Sequence, residues 1–296
     1  MLKHHNETPI APTRTVVLGA GGFIGRVLVK RLTDAGAKVL SLTRQELDLE
    51  HPTAADQLTE LLTDNDTLVF ISAKAPVRDV SMLSANIHMA ESVVKGVLRQ
   101  SITHMVYVSS DAVYSDSQTR LTEQSPAEPS SLHGVMHLTR ELALTQSLNT
   151  PIGILRPTLI YGIDDPHNGY GPNRFRRLAT EGKDLSLFGE GEERRDHVLV
   201  DDVAELLQRM IFHRSEGVMN AATGEVTSFL DIAEYIVALF ETPVTIKRIP
   251  RNGPMPHNGF RAFDPTATTA IFPDFCYTPL QEGLAKIHQQ MNNNKR

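Results

Sequence analysis

Val16-Val17-Leu18-Gly19-Ala20-Gly21-Gly22-Phe23-Ile24-Gly25 is the stretch that decides the fold. A β-branched apolar run enters glycines that accept tight or left-handed backbone, and an amphipathic segment, residues 23–35, follows without a gap. The pattern predicts a strand, a turn and a helix. With no side chains in the turn, a pyrophosphate can approach the backbone N–H groups, and the helix N-terminus favours its charge. Gly19, Gly22 and Gly25 are spaced G-x-x-G-x-x-G; Ile24 stands where the third glycine of G-x-G-x-x-G would fall. Alone, such a match reads as an ordinary glycine-rich turn. The strand before it and the helix after it point to a dinucleotide, with Gly19, Gly22, Phe23, Ile24 and Gly25 as its contacts.

Outward from this turn, short apolar runs recur at residues 16–18, 39–42, 68–71, 105–108 and 152–155, separated by amphipathic segments. Strands alternating with helical patterns predict an α/β fold with a doubly wound parallel sheet of the Rossmann kind. The second strand ends in Ser41-Leu42-Thr43-Arg44. An acidic residue at that point binds ribose hydroxyls, whereas an arginine accommodates a 2′-phosphate. Arg44 therefore favours NADP. NAD stays open, because Arg44 beside Glu46 can also be a solvated surface charge.

The composition narrows the partners. With 41% hydrophobic and 22% charged residues the chain reads as an ordinary globular protein, and its 296 residues allow one large domain or two. A net charge of −6 gives no overall attraction to nucleic acid or to an anionic membrane. No run approaches the roughly 20 apolar residues that cross a bilayer. The expectations are no nucleic acid, no membrane and a cytoplasmic location. Cys276, the single cysteine, excludes an internal disulfide and is expected as a free, buried thiol. Residues 1–13 are polar, lack the apolar core of a secretory signal, and are expected to form a flexible tail.

In this setting the glycine spacing resembles the extended short-chain dehydrogenase/reductase family, whose NAD-dependent epimerases, dehydratases and reductases act on nucleotide sugars. Thr43-Arg44-Gln45-Glu46-Leu47-Asp48-Leu49 is similar to the corresponding stretch of GDP-fucose synthases, which use NADPH. The resemblance implies that Asp48 and Leu49 lie beside the adenine. It also places Ser72, Ala73 and Lys74 in a loop under the cofactor, and Asn86 at a structural asparagine. Val106-Tyr107-Val108-Ser109-Ser110-Asp111-Ala112-Val113-Tyr114 resembles the family's Ser-(Ser/Thr)-x-x-Val-Tyr segment. By that likeness Ser110 hydrogen-bonds the reacting oxygen of the sugar. Asp111 is most like the residue with which dTDP-4-dehydrorhamnose reductases contact the sugar.

The family's Tyr-x-x-x-Lys pair is missing. The aligned segment is Ser131-Leu132-His133-Gly134-Val135-Met136-His137, with His133 at the Tyr position and His137 at the Lys position. Residues four apart lie one above the other on a helix, so both rings can face the same way. An imidazole is a competent acid or base near neutral pH, so His133 can exchange the substrate proton, while His137 can bond the nicotinamide ribose. Other readings stay open: a site that binds without turning over, or two solvated helix histidines. With Glu141 one turn on, the spacing also suits a helical metal site, but H-E-x-x-H is absent because Gly134 follows His133, and no metal is expected.

Leu155-Arg156-Pro157-Thr158-Leu159-Ile160-Tyr161-Gly162 looks like the family's Arg-Pro-x-x-(Val/Ile)-Tyr-Gly segment, which implies that Pro157 lines the nicotinamide pocket. Beyond it the strand–helix alternation gives way to Gly, Pro and Asp. The expected division is therefore a dinucleotide-binding domain over residues 14–162 and a smaller α/β substrate-binding part, residues 163–296, interleaved with it. Residues 185–204 are similar to the family's Gly-x-Gly-x-x-x-Arg-Asp-x-x-x-Val-x-Asp-Val-Ala signature. It implies a sugar-nucleotide diphosphate on Arg195, with Asn173 beside it, Phe188 along the base and Arg261 as a second phosphate candidate. Residues 292–296 are expected to fray. The resemblance implies a homodimer acting as an NADP-dependent oxidoreductase or epimerase of a nucleotide sugar, with a lean towards 4-keto reduction. A catalytically lapsed binding protein is the alternative.

Overall fold

The structure is a computed structural model and describes residues 2–241 and 243–294. The apolar runs form strands linked by crossover helices: β1 (Arg14–Leu18), α1 (Phe23–Asp34), β2 (Val39–Leu42), α2 (Ala54–Leu61), β3 (Asp66–Phe70), α3 (Val80–Arg99), β4 (His104–Val108), α4 (Leu132–Ser147) and β5 (Ile152–Pro157). Shorter elements follow: β6 (Leu159–Tyr161), α5 (Pro172–Thr180), β7 (Leu185–Phe188), β8 (Arg194–Arg195) and β9 (His197–Leu199). Then come α6 (Val200–Phe212), β10 (Gly217–Ala221), β11 (Thr227–Ser228), α7 (Phe229–Ala238), β12 (Ile246–Ile249), β13 (Phe260–Arg261), α8 (Thr266–Ile271) and α9 (Leu280–Asn294).

The main sheet has six parallel strands in the order β10-β5-β4-β3-β1-β2. Every residue of β3, β4 and β5 is buried, which is why these strands read as near-continuous runs rather than as alternating ones. The period of two is still visible in the packing. Val16, Leu68 and Met105 join the core on the α2–α3 side, while Val17, Val69 and Val106 join the core on the α1–α6 side. Strand order reverses between β1 and β3, and in such sheets ligands bind outside the carboxyl ends at that switch point.

The chain returns to this sheet after Gly162. β10 pairs with β5, with Val218 opposite Ile154, and apolar residues of α6 share a core with α1. Residues of α5, β7, α7 and α9 pack around a core of their own, which includes Phe175, Leu187, Phe229 and Ile232. Two parallel pairs, β6 with β9 and β7 with β12, and a three-stranded sheet, β11-β8-β13, complete that half.

Several local expectations are corrected. Residues 3–10 do not form a free tail. Lys3 pairs antiparallel with Glu216, the N–H groups of His5 and Asn6 donate to the His213 carbonyl, and His4 stacks on His213 with ring centroids 4.4 Å apart. These polar residues find partners more than 200 positions away, which no local reading reveals. Cys276 is exposed rather than buried. α9 continues to Asn294, and residues 295–296 of the stretch expected to fray lie outside the described residues.

The start of α4 is what brings the histidines to the site. Ser131 caps the helix by accepting from the Gly134 N–H at 3.1 Å. A Cβ on Gly134 would stand 2.0 Å from the Ala112 carbonyl oxygen and 2.7 Å from Pro129 Cβ, so helix and turn meet backbone to backbone. Gly134→Ala is expected to destabilise the protein by about 1–3 kcal/mol through this overlap. Thermal denaturation should show a midpoint lower by at least about 2 °C; an unchanged midpoint would contradict the close approach.

Candidate active site

A cleft of about 1130 Å³ runs along the carboxyl ends of β1, β3, β4 and β5 and on into the C-terminal half. Of the residues expected at the cofactor, Gly19, Gly22, Phe23, Ile24, Arg44, Asp48, Leu49, Ser72, Ala73, Lys74 and Pro157 line it. Ser110, Asp111, His133, His137, Asn173, Arg195 and Arg261 line it as well. Two expected residues do not. Gly25 packs helix onto turn, since a Cβ there would lie 2.1 Å from the Gly19 carbonyl oxygen. Phe188 sits behind Tyr170, ring centroids 5.1 Å apart, and it is Tyr170 that reaches the cleft.

The glycine turn fits a pyrophosphate. Gly19 has φ +92°, and a Cβ on it would meet the Ser72 backbone nitrogen at 2.9 Å. α1 begins at Gly22 with no side-chain cap among the described residues, so its first N–H groups are left for a ligand. At the other end of this arm Arg44, two-thirds exposed, pairs with Asp48 at 3.2 Å and Glu50 at 3.3 Å. Lys74 also reaches Glu50, at 2.6 Å. Asn86 clamps the Lys74 backbone from both sides, accepting its N–H at 3.0 Å and donating to its carbonyl at 2.9 Å. Glu50 escaped sequence reasoning because it is one of three acids in residues 46–50 and meets Lys74 only in the fold.

At the end of β4 the two serines diverge. Ser109 Oγ donates to Glu141 at 2.5 Å, and Glu141 also holds Arg156 through contacts of 2.9 and 2.5 Å. Ser110 faces the cleft, accepting from the Ala112 N–H at 3.1 Å. Because Glu141 is turned to Arg156, it does not join the two histidines. Among the described residues no group of three or more His, Cys, Asp or Glu could hold a metal ion.

The rings of His133 and His137 meet edge to face, with centroids 4.7 Å apart. His137 is 5% exposed, and its Nδ1 lies 2.8 Å from the Tyr107 hydroxyl. Burial pushes the pKa of His133 down; Asp111 opposes this, and His167 and Arg140 add to it. Burial, His133 and Arg140 together push His137 well below the usual imidazole value. Both rings are therefore neutral at neutral pH, each with one N–H and one lone pair.

In the C-terminal half the arginines of the cleft are already paired. Arg195 donates to Glu193 at 2.5 Å and to the Pro256 carbonyl at 2.6 Å. Arg261 donates to the Asp111 carboxylate at 2.9 Å, to the Asp111 carbonyl at 2.6 Å and to Asp116 at 3.3 Å. Asn173 ties α5 to the end of β6, accepting from the Gly162 N–H at 3.1 Å and donating to the Ile160 carbonyl at 3.2 Å.

Comparison with known proteins bears on the fold and the family. The chain superposes on a UDP-glucose 4-epimerase of Thermotoga maritima solved with UDP-glucose, at 19% identity and TM-score 0.83, covering 96% of this chain and 100% of that one. A UDP-glucose 4-epimerase of Thermus thermophilus in complex with NAD gives 20% identity and TM-score 0.82, with 94% and 99% covered. A GDP-L-fucose synthetase of Naegleria fowleri bound to NADP gives 17% identity and TM-score 0.81, with 99% and 98% covered. At such identities the likeness establishes the fold. The family is established by the sequence itself: residues 15–222, almost the entire span of the six-stranded sheet, match the NAD dependent epimerase/dehydratase family, and the chain belongs to it.

Proposed function

We propose that this protein is an NAD(P)-dependent oxidoreductase or epimerase of a nucleotide-linked sugar, with reduction of a 4-keto sugar by NADPH as the favoured reaction. One observation carries the reading: a single cleft joins the uncapped glycine turn to Ser110, to two neutral histidines and to two buried arginines. The nicotinamide, when bound, supplies the hydride. Gly19, Gly22 and the first turn of α1 hold the pyrophosphate, and Arg44 and Lys74 flank the ribose that carries the 2′-phosphate. Ser110 bonds the reacting oxygen, and His133 moves the proton to or from it. Arg195 and Arg261 take the diphosphate, with Asn173 fixing the helix beside it and Asp111 meeting the sugar.

The reading extends to a homodimer, supported by exposed apolar residues on α3 and α4: Leu98 at 61%, Leu142 at 47% and Val135 at 37%. The absent Tyr and Lys support a second reading, a binding protein without turnover. A panel assay separates the two. Purified protein is mixed with NADPH and nucleotide-linked 4-keto sugars, and nicotinamide absorbance is followed. Oxidation with one member is expected, and His133→Phe should abolish it while sparing cofactor binding. Silence across the panel by a protein that binds NADPH would favour the second reading.

The direction of the pH effect also follows. Reduction needs the imidazolium of His133 as proton donor, yet burial holds its pKa below 6.5. The rate of reduction should therefore rise as pH falls from 8 through 6.5, because protonation fills the acid form. A pH-independent rate of chemistry would contradict the role given to His133.

A further inference from the structure

Behind the cleft wall lie two residues outside the motifs that define the site, Tyr107 of β4 and Arg140 of α4. Both are buried, Tyr107 at 0% and Arg140 at 1% exposure. The Tyr107 hydroxyl meets His137 Nδ1 at 2.8 Å and has no other acceptor among the described residues. Arg140 donates to the Asn86 carbonyl at 2.8 and 2.9 Å and to the Ser72 carbonyl at 2.8 Å, with its guanidinium 4.7 Å from the centre of the Phe70 ring. No carboxylate pairs with it among the described residues, so a fixed, uncompensated cation stands behind the histidines.

We propose that Tyr107, backed by Arg140, is a positioning residue that fixes His137 as the tautomer protonated on Nε2, so that the ring offers an N–H donor to the cleft. The inference rests on the reading of the cleft as a dinucleotide site. A phenol O–H donates readily to an imidazole lone pair, and burial raises the Tyr107 pKa, so the hydroxyl keeps its proton. Arg140 and Tyr107 both pack on the Phe70 ring, the guanidinium 4.7 Å and the phenol ring 5.5 Å from its centre, so the cation stands close behind this phenol. With Nδ1 occupied as an acceptor, the ring proton belongs on Nε2, which has no partner among the described residues and is left for the cleft. His137 supplies the hydrogen-bond donor, and Arg140, three residues further along α4, supplies the fixed positive charge. That charge, added to burial, keeps both imidazoles neutral.

The test is long-range ¹⁵N–¹H NMR of the full chain labelled at histidine, with the His137 signals identified by their loss in His137→Gln. Wild-type protein at neutral pH should show His137 neutral and protonated on Nε2. Tyr107→Phe should lose that single tautomer and weaken NADPH binding by about tenfold, the worth of one hydrogen bond, while its far-ultraviolet circular dichroism matches wild type. A wild-type His137 protonated on Nδ1 would overturn the proposal. So would a Tyr107→Phe protein with unchanged tautomer and unchanged affinity. Failure of wild-type protein to bind NADPH or NADH would overturn the functional reading instead, and the tautomer would still decide the positioning role.

Discussion

Arg156 of β5 and Glu141 of α4 hold each other in the interior through contacts of 2.9 and 2.5 Å, and the geometry of the site depends on that pair. Breaking such a buried pair by removing one partner costs about 3–5 kcal/mol, because the other charge is left without solvent or counterion. Its reach explains why it matters. Glu141 takes the Ser109 hydroxyl; of the two serines that line the cleft, Ser110 keeps its hydroxyl clear of that pair. Arg156 donates to the Tyr114 hydroxyl at 2.8 Å, and Tyr114 in turn donates to Asn220 of β10 at 2.8 Å. Two neighbouring strands, the helix that carries both histidines and the edge strand that returns from the C-terminal half are thus fixed to one another. The same pair turns Glu141 away from the two histidines.

The C-terminal side of the cleft is organised by charge balance. Arg195 is offset by Glu193, and Arg261 by Asp111 and Asp116. On the proposed reading an incoming diphosphate exchanges places with these carboxylates, so binding trades one set of charge-assisted hydrogen bonds for another. Asp196, next to Arg195 on the cleft wall, is buried. Burial pushes its pKa up to about 6, while donors from Thr223, Gly224 and Thr158 oppose the shift. It ties the end of β8 to the loop after β10.

Much of this was legible in the chain because the signals were local. The glycine turn needs only residues 16–25, and the buried strands announce themselves as apolar runs between amphipathic segments. Serines and histidines at the ends of strands and helices could likewise be placed by order alone. What escaped depended on distance. Arg261 looked like a free phosphate ligand, yet it meets Asp111 from 150 residues away. The histidines of the N-terminal segment looked like solvated polar residues, yet they dock on the turn after α6. Phe188 and Tyr170 are both aromatic and near the signature, and which of them reaches the cleft is decided by how β7 packs against the loop before α5. Tyr107 read as one more apolar residue of a buried strand, because nothing in its neighbours says that its hydroxyl faces a helix.

On the proposed function, one cleft holds a nicotinamide dinucleotide at the glycine turn and a nucleotide sugar across Arg195 and Arg261, with the sugar at Ser110 and His133. The most direct measurement is a crystal structure of the protein with NADP and UDP-glucose. The account predicts the dinucleotide pyrophosphate on the N-terminus of α1, the sugar-nucleotide diphosphate on Arg195, and a sugar hydroxyl within hydrogen-bond distance of Ser110 and His133. A dinucleotide bound elsewhere, or a sugar nucleotide that leaves Arg195 on Glu193 and Arg261 on Asp111, would contradict it.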